Sequence, residues 1–442
     1  MLTQPLTTGR LVMLNIRIAG TALLLMATTS CDTTVTNPGP VQDEFLADRT
    51  AATALVNGAG RALSAGINWI SYTGAAVARE IHPAGSTGSF GISARWQNGE
   101  LNPDDADLNT HWELAQRARW LAEETIRRLE AAGPPPQGSG QTPAQYAAAL
   151  QQAYVYAGYA NRVLGENMCE AVIDGSAALP GATFFTRAES LFTKALAVTG
   201  APTATAATLM SAAYAGRAQV RVHLGKWTEA TADAGQVAIA FVYNMPYFNI
   251  GSDDQRNRIA WAAGNTPYRA HTQWSTWYYD YRQATNDPRV PITITNLQGD
   301  AAIECCGRVS FWPEAKHNTS ASPIRLASGR EMRLIEAEAK LRSSDVAGAM
   351  TLINTVRSNA GTTPVTATTL DEAWRLLKRE RGIELWLEAR RLGDLRRWKA
   401  SNTPGALDPL EQVGPGSHLS QQDLCFPIAR SERETNPNLR GG

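Results

Sequence analysis

Glu380, Glu384 and Glu388 continue, by helical steps, an apolar stripe begun by Leu370, Ala373 and Leu377. Carboxylates on a packing face need cationic partners, because burying an unpaired charge is costly. Arg333, Arg357, Arg390 and Arg397 are the candidates. A catalytic acid pair and a structural ion-pair network between helices both fit the pattern, and the network is the preferred reading. Aromatic rings are the second set able to do chemistry. Trp69, Tyr72 and Trp96 lie in the Gly/Ser-rich stretch 68–99, and Trp274, Trp277 and Tyr278 in the stretch 243–327. A saccharide presents apolar C–H faces and a rim of hydroxyls, which flat rings and polar side chains match respectively. These six are therefore candidate ligand contacts, with core packing the competing role of each. Trp274 and Trp277, three apart, would face one way on a helical turn. Trp227, Trp374, Trp386 and Trp398 sit in helical patterns or at helix ends and are assigned to packing.

Cysteines come next. Cys31 follows an apolar run, Ile18 to Ala27, with Arg17 before it and the small residues Thr28-Thr-Ser30 after it. The run is too short for a membrane span and is bounded like an export signal. It reads either as a simple cleaved signal ending near Ser30 or as a lipoprotein signal that makes Cys31 the acylated first residue. Thr28 departs from the usual Leu, whereas the polar stretch after Cys31 suits a tether; lipidation is the expectation. The remaining four, Cys169, Cys305, Cys306 and Cys425, read as disulfides in an exported chain. A bond between adjacent Cys305 and Cys306 would be strained. They are therefore expected to pair separately with Cys169 and Cys425. A zinc site is the rival, but the sequence has no C-x-x-C clip.

Other chemistry finds little support. His82, His111, His223, His271, His317 and His418 are scattered, and no H-E-x-x-H, G-x-S-x-G or Walker sequence occurs. Asp104, Asp105 and Asp107 lack the Gly and distal Glu of a calcium loop. Lys plus Arg and Asp plus Glu both number 41, with no concentrated basic patch, which argues against nucleic acid. No catalytic residue, metal or cofactor is assigned.

The elements that must position these residues are mostly helices. Asp43 to Gly60 reads as a helix, 68–99 as a long loop, and Thr110 to Ala132 as a long helix stopped by Gly133-Pro-Pro-Pro136. Helices are expected over Ala144 to Leu164, Thr186 to Val198, Thr205 to Leu224 and Thr228 to Ala240. Their small contact residues and the Leu224-Gly225 turn resemble tetratricopeptide helix pairs. Helical period fails from Tyr243 to Ala327. There Trp261, Tyr268, Tyr279 and Tyr281 join the aromatic crowd, and Pro291 to Thr295 alternates like a short strand. Beyond it, Ala349, Leu352, Ile353 and Val356 form one helical face, capped by Ser344 or Asp345 and followed by Gly361. Thr369 and Glu372 have capping-box spacing and start a third helix.

Several segments carry a resemblance. They are Arg333-Leu-Ile-Glu-Ala-Glu-Ala339, Leu352-Ile-Asn-Thr-Val-Arg357, Glu380-Arg-Gly-Ile-Glu-Leu385, Asp394-Leu-Arg-Arg-Trp398, Asn286-Asp-Pro-Arg-Val290 and the tail Phe426 to Leu439. In this order they resemble the C-terminal half of SusD/RagB-type proteins, surface glycan-binding lipoproteins of Bacteroidetes-like bacteria; Ala429 stands where that family usually has Pro. The resemblance covers about the last third of the chain. It implies a mostly α, tetratricopeptide-like helix-pair scaffold with an irregular aromatic-rich insertion. The expected organisation is a signal over 1–30, a tether over 31–42 and one SusD-like domain over 43–442. In that domain the repeat scaffold occupies about 144–240 and 328–398, and the irregular ligand or partner region about 243–327. It implies capture of glycan or related nutrient oligomers at the outer-membrane surface, lipid-anchored, for a SusC-like TonB-dependent transporter. A tetratricopeptide interaction lipoprotein without sugar binding, or a glycan-processing enzyme, are the alternatives.

Overall fold

The computed structural model describes residues 46, 48–136, 140–249, 255–264 and 268–439. Cys31, the signal and the tether lie outside them. Among the described residues, no helix is long and apolar enough to cross a membrane.

Helices α1 (Ala52–Val77), α2 (Asp107–Ala132), α3 (Pro143–Asn167), α4 (Ala182–Ala197), α5 (Thr203–His223) and α6 (Trp227–Ala234) pack in succession. Each N-terminus that starts well does so for a legible reason. Pro143 stands at the first turn of α3, and Thr142 and Gln145 close a capping box. Between α4 and its neighbours the core is aromatic: Phe192 is fully buried, its ring edge-on to Tyr159 at 5.0 Å. After a stretch of short elements come α7 (Trp277–Thr285), α8 (Gly329–Arg342), α9 (Val346–Asn359), α10 (Leu370–Glu384) and α11 (Arg391–Ala400). Asp345 caps α9 through Gly348 N, and Gly361 beyond its end takes φ 73°. Thr369 and Glu372 form the expected capping box.

Three two-residue or longer antiparallel pairs stitch the irregular parts to the helices. They are β1 (His82–Pro83) with β5 (His271–Thr272), β2 (Glu170–Ala171) with β3 (Leu179–Pro180), and β4 (Val242–Met245) with β6 (Ile324–Ser328). Pro291 to Thr295 is held by a single bridge from Ile292 to Glu314, not by a strand.

Two further expectations need correction. The segment 68–99 is not one long loop, because α1 runs on to Val77. Two glycines of α1 are contact positions: a Cβ on Gly60 would stand 2.8 Å from the Tyr156 ring and one on Gly66 3.1 Å from the Leu114 carbonyl of α2. From Leu63 onward almost the whole circumference of α1 is buried. The cysteine pairing also differs. Met168 bridges Phe426, and Cys169 N donates to Phe426 O at 2.9 Å, which sets Cys169 against Cys425 with Cα atoms 5.0 Å apart in a disulfide. Cys305 and Cys306 share a turn closed between Ile303 and Gly307 and bond to each other. Adjacency in sequence argued against that bond, but with Cys169 joined to Cys425 these two thiols have each other as partners.

Candidate functional site

The carboxylates of α10 are locked. Glu380 meets Arg289 at 2.6 Å and Arg357 at 2.9 Å; Glu384 meets Arg325 at 2.9 Å and Arg330 at 2.8 Å; Glu388 meets Lys316 at 2.6 Å and Arg325 at 2.9 Å. Burial would raise the Glu388 carboxyl, yet Arg325 and Lys316 hold it below the usual carboxylate range. Of the four expected cations only Arg357 reaches this trio. Arg390 serves Glu166 and Glu331, Arg397 serves Glu338 and Asp394, and Arg333 serves Glu336. The partners the sequence did not point to are Arg289 from the Asn286–Val290 turn, Lys316, Arg325 from β6 and Arg330 from the first turn of α8. Glu388 itself lies past the end of α10, in a turn where Leu387 and Ala389 have φ 61°. The network reading holds, and no member of the trio is left without a cation for acid–base work.

The aromatic candidates divide by burial. Tyr72 and Trp96 are wholly inside, as are Trp277 and Tyr278 but for a few per cent. Tyr72 bonds to His271 at 2.9 Å; Trp96 packs on His111 and Phe426; Tyr278 stacks on Trp386 at 5.3 Å. Trp69 is half-buried, but the Arg258 guanidinium covers its face at 3.4 Å. These five belong to the packing of the body. Trp274 is the exception. It precedes α7 rather than sitting on it, since Ser275 takes φ 56° and Thr276 is the cap residue. The two rings expected to share a face therefore part, Trp277 inward and Trp274 to a half-buried position.

Around Trp274 the structure gathers residues the sequence reading passed over. The Thr272 hydroxyl accepts from Trp274 N at 3.0 Å and from Trp312 N at 2.9 Å, and donates to Ser310 O at 2.9 Å. One side chain of β5 thus fixes the backbone of two half-buried tryptophans. Trp312 stacks on half-buried Tyr279 at 4.3 Å. Trp274 lies parallel to His418 at 6.2 Å, and His82 sets its edge against both, at 5.2 and 5.5 Å. Ser275 Oγ donates to Gly416 O at 3.1 Å, tying this segment to the turn that carries His418. The Cys305–Cys306 disulfide closes the group, with Cys306 Sγ 3.5 Å from His418 Nε2. Tyr279 was legible as part of the aromatic crowd. Trp312 and His418 had no local signal, because only the β1–β5 pairing and the 414–419 turn bring them here.

The electrostatics keep this group neutral within. Burial, reinforced by Arg79, lowers His82 to about 3, and does the same to His271. His418 is lowered too, by the same two causes. A neutral aromatic cluster with exposed Glu304 and Arg308 on the adjoining turn can stack on apolar ring faces and hydrogen-bond a polar rim. Two hollows, of about 460 and 500 Å³, lie elsewhere. The first is lined by Arg342, Arg396 and Arg397, whose guanidiniums already bond to Glu338 and to the Gly165 and Met168 carbonyls.

Residues 313–440 match the SusD family model. Solved structures share the fold over nearly the whole chain. A SusD superfamily protein from Bacteroides vulgatus is 14% identical, with 88% of this chain and 98% of that one covered at a TM-score of 0.59. A SusD/RagB family protein from Bacteroides thetaiotaomicron is 13% identical, with 87% and 94% covered at 0.61. Surface glycan-binding protein A from Bacteroides uniformis is 15% identical, with 87% and 98% covered at 0.57. No curated protein matches the chain.

Proposed function

We propose, for a chain whose residues 313–440 match the SusD family model and whose fold is that of SusD-like proteins, that it is a cell-surface binding protein for glycan or related nutrient oligomers. The observation that carries this is the half-buried cluster of Trp274, Tyr279 and Trp312, held by Thr272 and set among the irregular segments while the helices supply a rigid back. Rings fixed in advance lose little entropy on stacking against a sugar, which suits recognition without turnover. The paired acids of α10 support binding over hydrolysis.

Anchoring and delivery complete the proposal. Cys31 would carry the acyl chains that hold the body at the outer membrane, and the captured oligomer would pass to a SusC-like TonB-dependent transporter. The test is incubation with an oligosaccharide panel. Retention of an oligomer with no product formed is the expected outcome; product formation, or no retention of any member, would count against it. For the anchor, Cys31→Ser should move the protein into the soluble fraction in cells lacking the transporter, and unchanged membrane association there would refute lipidation.

A further inference from the structure

Beside the aromatic cluster, three donors of metal-ligand type converge from distant parts of the chain. The ligating atoms of His82, Cys305 and His418 all lie within 4.8 Å of one another. His82 is the anchor. Its Nδ1 lies 2.8 Å from the Pro83 carbonyl, which can only accept, so Nδ1 carries the proton and Nε2 keeps its lone pair. That Nε2 is buried in a side chain with no exposure and has no hydrogen-bond partner. A buried, unbonded imidazole nitrogen is costly, and a ring oriented by a backbone carbonyl on its other nitrogen is the arrangement that metal-binding histidines use. His418, at φ 59° in the 414–419 turn, brings the second ring to 5.5 Å from the first.

We infer that His82, His418 and Cys305 form a site for a zinc-like divalent ion, opened when the Cys305–Cys306 disulfide is reduced. A disulfide sulfur is a poor ligand and a thiolate a good one. Cys305 is exposed, so a reductant can reach it. A dithiol gives two electrons and two protons to the S–S bond, closing into its own disulfide and leaving Cys305 and Cys306 as thiols. The metal then takes the Cys305 sulfur as thiolate, its proton leaving to solvent. Two nitrogens and one sulfur at zinc distances stand about 3.5 Å apart, so the donors need close in by only about an ångström. The thiolate charge offsets Arg79, the cation facing both rings. Water fills the fourth position.

The probe is Co²⁺ added to the full chain, with and without prior treatment by a phosphine reductant under nitrogen. The reduced protein should bind one equivalent, with tetrahedral d–d bands and a sulfur-to-cobalt charge-transfer band, and Zn²⁺ should displace it. The oxidised protein should show neither band. Cys305→Ser should abolish the charge-transfer band, and His82→Ala and His418→Ala should each weaken binding at least about tenfold. Cobalt bands that survive Cys305→Ser place the metal on other thiols and overturn the inference, as does a reduced wild type that binds no cobalt. Cys305 is exposed and His418 half-buried, so their variants decide the matter even if His82→Ala does not fold.

Discussion

Arg289 Nη1 lies 2.6 Å from Glu380 Oε1, tying the Asn286–Val290 turn to α10 across 91 residues of sequence. The same guanidinium meets Asp287 at 2.7 Å and Glu384 at 3.3 Å, and its side chain is 7% exposed. Burial alone would lower it; the three acids raise it well above its ordinary range. Removing it strands buried carboxylates, which typically costs about 3–5 kcal/mol. Arg289→Ala should therefore destabilise by that order in urea unfolding. Arg95→Ala, whose pair with Glu100 is largely exposed, should change stability by less than about 1 kcal/mol. Equal effects from the two would remove the network from the list of what holds the irregular region to the helices.

The aromatic residues separate by the same kind of contrast. Trp274→Ala and Trp312→Ala should each weaken binding of the cognate oligomer at least about tenfold in calorimetry, with melting nearly unchanged, because loss of a central stacking ring costs on the order of 2 kcal/mol. Trp96→Ala and Tyr278→Ala should instead cost about 3–5 kcal/mol of stability, since each leaves a cavity in the core. If Trp274→Ala and Trp312→Ala bind normally, the ligand site lies away from this cluster.

How much of this was readable from residues alone follows the range of the forces. The capping box at Thr369 and Glu372, the Asp345 cap and the Gly361 stop are local, and all three stand where the spacing put them. The acid stripe was legible as needing cations. Most of the cations were not, because Arg289 and Arg325 reach it from 91 and 59 residues away. Gly74 misled, since a glycine inside a buried helix and one that opens a loop look alike in sequence. Trp277 and Trp274 have the same chemistry and neighbouring positions. Only the positive φ of Ser275, a consequence of the surrounding fold, sends one inward and leaves the other half-buried.

The Cys169–Cys425 bond spans 256 residues, joining the end of α3 to the C-terminal tail. Phe426 beside it is fully buried and bridged to Met168. A closed loop of this length restricts the unfolded chain strongly, and its loss should cost roughly 2–5 kcal/mol. Peptide mapping without reduction should recover Cys169 linked to Cys425, and the Cys169→Ser, Cys425→Ser pair should lower the unfolding midpoint. Recovery of Cys169 or Cys425 joined to Cys305 or Cys306 would overturn the pairing.

Acid should unfold this protein earlier than its carboxylates alone would dictate. Burial is the leading cause that lowers His82, His111 and His271 to about 3, and it lowers His223 to about 4 despite Glu166 beside it. Unfolded, each regains an ordinary imidazole and takes a proton below about pH 6.5. A group with a depressed folded value contributes stability above that pH and loses it as pH falls toward the folded value. Glu80 opposes them. Burial raises its carboxyl to about 7, against the Leu387 N–H and the charges of Arg391 and Lys316, so between its unfolded value and 7 it favours the folded state more as pH falls. The lowered histidines outnumber Glu80, so unfolding takes up protons on balance near pH 5.5 and stability falls with pH there. Urea unfolding from pH 7.5 to 5 should show stability nearly level above pH 7 and falling steeply below 6.5. His223→Gln should flatten that fall by about one proton, whereas a profile unchanged between pH 7 and 5 would mean that these rings are charged, and solvated, in the folded protein.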